Sequence, residues 1–67
     1  MPIIEVKLFG ELTPSHKEQL IKETSNTVSS VLNLPLSTVR VLLHELPTEN
    51  WGIEGESVKK RLEKAEK

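Results

Sequence analysis

The chain contains no cysteine, which excludes disulfides and any thiolate metal cluster. Its only histidines, His16 and His44, stand far apart, so no zinc-ligand spacing is present. There is no basic excess: nine Lys and Arg face ten Asp and Glu, a formal charge of −1. That argues against a nucleic-acid partner, whose binders carry a clear positive stripe. No apolar run approaches the roughly 18–20 residues that span a bilayer. The N-terminus shows no basic segment leading into a long apolar one, so a cytoplasmic location is the default expectation, with no membrane partner. Aromatics are reduced to Phe9 and Trp51. Length is scarce too, because 67 residues make one small domain. A chain of this size buries only about 60% of its unfolded surface alone. Without disulfide or metal, the remaining route to stability is association of subunits.

What is present is a clear change of period along the chain. From Pro2 to Phe9 the residues alternate, with Ile4, Val6 and Leu8 on one face and Ile3, Glu5, Lys7 and Phe9 on the other, which predicts a strand. Pro2 is tolerated at its first position, and Gly10 ends it. Thr13 as N-cap and Pro14 at the first helical position open a helix. Leu20, Ile21, Thr24, Val28, Val31 and Leu32 recur on one stripe, and Asn33 and Pro35 close it. The β-branched and Ser/Thr content of residues 24–30 is poor for an isolated helix, so packing must hold it. A second strand runs from about Val39 to Leu46. Val39, Val41, Leu43 and Glu45 share one face, and Arg40, Leu42, His44 and Leu46 the other.

Strand, helix and strand predict an α+β chain built on a single βαβ unit with parallel strands and a right-handed crossover. The glycines of "PTENWGIEGES" predict a C-terminal hairpin or tight turn around Gly52 and Gly55. Beyond it, about residues 57–67 form a charged tail, with Val58, Leu62 and Ala65 at the spacing of a short frayed helix. One helix covers only one face of a parallel sheet. The face that carries Leu42 and Leu46 is expected to meet another subunit, so that oligomerisation completes the sheet.

Three segments then stand out together: "MPIIEV", "PLSTVRVLLHEL" and "NWGIEG". In this order and spacing they resemble the 4-oxalocrotonate tautomerase family, the small-subunit type of N-terminal-proline tautomerase, from Pro2 to about Arg61. The charged tail extends past the usual end of that family. The resemblance implies a tautomerase-like fold in which two subunits join strands into a four-stranded sheet. Three such dimers would form a homohexamer. It implies an isomerase that interconverts the enol and keto forms of a small conjugated 2-hydroxy or 2-oxo acid, with no cofactor or metal.

In that reading Pro2 is the general base, and Arg40, acting at a neighbouring subunit's site, holds the substrate carboxylate and polarises the adjacent enol or carbonyl oxygen, while Trp51, Phe9 and Ile53 form the apolar wall. The plain alternatives are a proline that starts an edge strand, an arginine in solvent and three packing residues. The chemistry of Pro2 depends on Met1. Once Met1 is removed, Pro2 carries a free secondary amine; while Met1 stays, its nitrogen is an amide without basicity. A free α-amino group titrates near about 7.7–8.0, and apolar surroundings and a neighbouring guanidinium lower that value. A base whose pKa lies near the working pH moves protons efficiently. A guanidinium donates two parallel hydrogen bonds to a carboxylate. His44 shares a strand face with Arg40 but matches no site position of the family, and a structural or interfacial role is expected for it.

Two positions depart from the family pattern. Leu12 stands where a second arginine binds the far carboxylate of a dicarboxylate, so a mono-acid of the phenylenolpyruvate type fits better than 2-hydroxymuconate. Glu54 replaces a turn glycine, where a positive φ would strain it and its charge would oppose an anion. Related proline-based dehalogenases activate water with an acid at the position of Ile53, which makes hydration chemistry the weaker reading here, although Glu54 is next to it. The alternative function is a non-catalytic subunit, or half of a hetero-oligomer whose partner supplies the missing arginine.

Overall fold

In the computed structural model, which describes residues 1–65, two strands lie parallel and side by side. They are β1 (Ile3–Phe9) and β2 (Arg40–Leu46), with Ile3 opposite Arg40 and Phe9 opposite Leu46. This register puts Ile4, Val6 and Leu8 on one face with Val41, Leu43 and Glu45. Each of the two strands starts one residue later than its sequence pattern predicts.

Helix α1 (Pro14–Leu32) joins the strands. The Thr13 hydroxyl accepts from the His16 N–H at 3.1 Å, satisfying one of the orphan donors of the first turn. At the other end Asn33 takes a left-handed conformation, φ 54°, and its N–H donates to the Ser29 carbonyl, a C-cap of the kind that ends helices before a proline. Leu20, Ile21, Thr24 and Val28 are half-buried, as the stripe predicts. Val31 and Leu32 are not; they are 76% and 52% exposed. The reason is length. A helix of 19 residues is about 28 Å long, and a strand of seven about 23 Å, so the last turn of α1 overhangs the sheet. Lys17 pairs with Glu45 across the α1–β2 contact.

After β2 the chain makes a 3₁₀ turn at Thr48–Asn50 and then a hairpin of β3 (Gly52–Ile53) and β4 (Glu56–Ser57). The two residues between them, Glu54 and Gly55, both have positive φ, 53° and 82°, the signature of a type I′ turn. Helix α2 (Val58–Ala65) follows, so the expected charged tail is ordered as a helix through Ala65. Residues 66 and 67 of that tail lie outside the described residues. The Ser57 hydroxyl caps α2 by accepting from the Lys60 N–H at 3.1 Å. Lys64 Nζ reaches back to Glu56 Oε2 at 2.6 Å. That hydrogen bond holds the Glu56 carboxyl below its ordinary pKa. Among the described residues no helix is long and apolar enough to cross a membrane.

The chain by itself has almost no core. Only Val39 and Val58 are buried hydrophobics among the described residues. Its radius of gyration is 15.8 Å, with extents of 49 × 25 × 15 Å, whereas a compact chain of this length measures about 11 Å. The second sheet face is open. Ile3 and Leu42 are 61% and 43% exposed there, around a pair in which His44 Nε2 stands 4.0 Å from Glu5 Oε2.

Candidate active site

Pro2 and Arg40 meet at the N-terminal end of the sheet. The Arg40 N–H donates to the Pro2 carbonyl at 3.0 Å, which extends the β1–β2 ladder by one bond and fixes Pro2 beside the start of β2. A 3₁₀ turn at Leu36–Thr38 leads into that point. It is tied by the Thr38 hydroxyl, which donates to the Pro35 carbonyl at 2.8 Å. The Arg40 guanidinium curls onto this turn, with one nitrogen donating to the Ser37 carbonyl at 2.7 Å and to the Val39 carbonyl at 3.3 Å. A guanidinium has five N–H donors, so these two bonds orient the group and leave others for an anion.

The apolar residues gather at the opposite end of the strands. Phe9, the last residue of β1, meets Trp51 edge to face, with ring centroids 4.6 Å apart and an interplanar angle of 62°. Trp51 is anchored by its carbonyl, which accepts from the Val58 N–H at 2.8 Å. Its indole Nε1 is buried and has no hydrogen-bond partner among the described residues, a state that costs about 1–3 kcal/mol when it persists. Ile53 sits on the hairpin, 45% exposed. Seven strand steps separate Pro2 from Phe9, about 23 Å. One copy of the chain therefore brings Pro2 and Arg40 together, and Phe9 and Trp51 together, but not the two pairs.

A cavity of about 420 Å³ opens at the aromatic end, lined by Phe9, Gly10, Glu11, Leu46, Pro47, Thr48 and Leu62. Of these only Phe9 was expected at the site from the sequence, and two of the others, Leu62 and Glu11, are the most informative. Leu62 belongs to the segment expected to trail as a tail, and it reaches the cavity because the hairpin turns α2 back toward the end of the sheet. Glu11 has φ 88°, in the left-handed region that glycine favours. The only hint in sequence is the glycine beside it. Leu12 is half-buried. Glu54, the acid singled out by sequence, lies in the hairpin turn and does not line the cavity. Among the described residues no group of three or more His, Cys, Asp or Glu side chains is arranged to hold a metal ion.

A parallel βαβ unit followed by a short hairpin, with a proline at position 2 opposite the start of the second strand, is the architecture of the tautomerase class. The model of the family described as tautomerase enzyme matches residues 2–61; the chain belongs to that family and is an isomerase. It is 41% identical over 59 residues to a 2-hydroxymuconate tautomerase of Stutzerimonas stutzeri, a match covering 88% of this chain and 94% of that one. Among solved structures it is similar to TomN, a 4-oxalocrotonate tautomerase homologue in the tomaymycin biosynthetic pathway, with a TM-score of 0.87 and 31% identity over 92% of this chain and 95% of that one. It is also similar to a fused 4-OT, a wild-type asymmetric trimer, with a TM-score of 0.79 and 30% identity over 88% of this chain and 48% of that one. The resemblance read from the three sequence segments is thus borne out, as is the α+β fold with its parallel strands.

Proposed function

We propose that the protein is a cofactor-independent enol–keto tautomerase of a conjugated 2-hydroxy or 2-oxo acid, working in the cytoplasm. Pro2, with Met1 removed, takes a proton from the enol oxygen or an adjacent carbon and returns it to another carbon. Arg40 binds the carboxylate and stabilises the negative charge that develops on the dienolate between the two transfers. Trp51, Phe9 and Ile53 enclose the conjugated chain and disfavour protonation of the Pro2 amine. What supports this reading is the match to the tautomerase family over residues 2–61, together with the main-chain hydrogen bond from the Arg40 N–H to the Pro2 carbonyl, which joins the two segments at one end of the sheet.

The aromatic wall then belongs to a different copy of the chain from the Pro2 it serves, and the site lies between subunits. The open sheet face, the extended shape and the unpaired Trp51 indole support such an assembly. A homohexamer of three dimers is the arrangement we favour, and the trimeric fused relative is in keeping with it. Leu12 favours a second reading, a non-catalytic or hetero-oligomer subunit of the same fold.

The test is an ultraviolet assay with 2-hydroxymuconate and phenylenolpyruvate on protein whose intact mass establishes that Met1 is absent. Turnover that falls at least a hundredfold in Pro2→Ala supports the proposal. No turnover of either acid, or equal turnover in Pro2→Ala, would sink it.

A further inference from the structure

We infer that Glu11 is a specificity residue: its carboxylate excludes substrates that carry a second negative charge at their far end. The inference rests on the tautomerase reading above, and it concerns the end of the site remote from Pro2.

The cavity at the aromatic end is of the size that encloses a small ligand, about 300–1,000 Å³ in general. Its walls are Phe9, Leu46, Pro47 and Leu62, with Thr48 as a neutral polar residue and Glu11 as the one charged lining residue. Among the described residues Glu11 takes part in no ion pair. The carboxylates of Glu5, Glu45 and Glu56 face His44, Lys17 and Lys64 instead. Lys17 is thus committed to Glu45, and among the described residues no cation pairs with Glu11.

The backbone adds to this. Glu11 holds φ 88°, while Gly10 beside it keeps an ordinary φ. A side chain at Gly10 would meet only Glu45 Oε2, at 3.7 Å. The chain therefore places a charged residue at the strained position and a glycine at an unstrained one. A non-glycine residue in the left-handed region is strained, and strained residues of this kind concentrate at functional sites. An apolar pocket with one uncompensated carboxylate repels a distal carboxylate and accepts an uncharged or hydrogen-bond-donating end. Selectivity of this kind comes from building against the wrong ligand as well as for the right one.

The experiment measures dissociation constants by calorimetry for trans-cinnamate, with one carboxylate and an apolar far end, and trans,trans-muconate, with a carboxylate at each end. The proteins are the wild type, Glu11→Gln and Glu11→Gly. The wild type should favour cinnamate, and both variants should move the ratio toward muconate by about tenfold or more. Raising salt from about 0.01 M to about 1 M shortens the Debye length from about 30 Å to about 3 Å. It should narrow the ratio in the wild type and leave it unchanged in Glu11→Gln. An equal ratio in all three proteins, a shift confined to Glu11→Gly, or no cinnamate binding to any of them would overturn the inference. The shifted ratio in a protein that turns over neither acid would leave the filter standing and remove the tautomerase reading. Turnover with an unshifted ratio would do the reverse.

Discussion

The ring of Phe9 meets the indole of Trp51 edge to face at 4.6 Å and 62°, and this contact joins the end of the first strand to the segment that leads into the hairpin. The first prediction concerns that pair. Aromatic pairs in this geometry contribute about 0.5–1.5 kcal/mol beyond the area they bury. A double-mutant cycle of Phe9→Leu and Trp51→Leu, read by denaturant unfolding, should return a coupling of that size. Additive effects of the two substitutions would mean that the rings stabilise the fold separately.

The hairpin turn holds Glu54 at φ 53° beside Gly55 at φ 82°. Asn-Gly is the preferred pair for a type I′ turn. Glu54→Asn and Glu54→Gly should each stabilise the protein by about 1 kcal/mol, seen as a higher denaturant midpoint at unchanged slope. Because Glu54 does not line the cavity, neither change should alter the preference between mono-acid and diacid, whereas Glu11→Gln should.

At the start of α1, Thr13→Ala removes the acceptor for the His16 N–H and should cost about 1 kcal/mol, within the usual range for a lost N-cap. Thr13→Ser keeps a hydroxyl in the same place and should recover most of that loss. If the two variants are equally unstable, the cap contributes nothing.

Glu56 is held below the ordinary carboxylate pKa first by its hydrogen bond to Lys64. A depressed pKa marks stability that is present above the unfolded value and is lost as pH falls through the folded one. The end of α2 should therefore loosen only in acid, below the usual range for a glutamate. In Lys64→Met an NMR titration should find the Glu56 carboxyl moved upward. Both groups are at the surface, so global stability should barely change.

On the open sheet face, Leu42→Glu sets a carboxylate beside Ile3 and the Glu5–His44 pair. If that face is covered by another subunit, the substitution should convert the assembly to smaller species in analytical ultracentrifugation. It should also lower turnover, because the proposed site needs two copies. An unchanged sedimentation profile would move the interface elsewhere.

Much of the fold was legible in the residues because it rests on local rules. The alternation in β1 and β2, the Thr13 and Pro14 start and the Asn33 stop each act within a few positions, and each appears within one residue of where the pattern sets it. The stripe on α1 failed at Val31 and Leu32, since periodicity states which way a side chain faces and not whether a sheet extends far enough to meet it. The positive φ of Glu11 was missed because the adjacent glycine drew the turn to itself, and only the path of the backbone between β1 and α1 reveals which of the two residues bends.

The sequence by itself determined the βαβ order, the caps, the family and the residue types available for proton transfer and anion binding. These follow from periodicity, from side-chain chemistry and from three short segments in a set order. Only the tertiary structure decided that Pro2 and Arg40 share one end of the sheet while Phe9 and Trp51 share the other, and that Glu11 lines the cavity. It also left one sheet face without cover. Those relations depend on strand register and on how far a seven-residue strand carries the chain, distances that side-chain pattern alone does not encode.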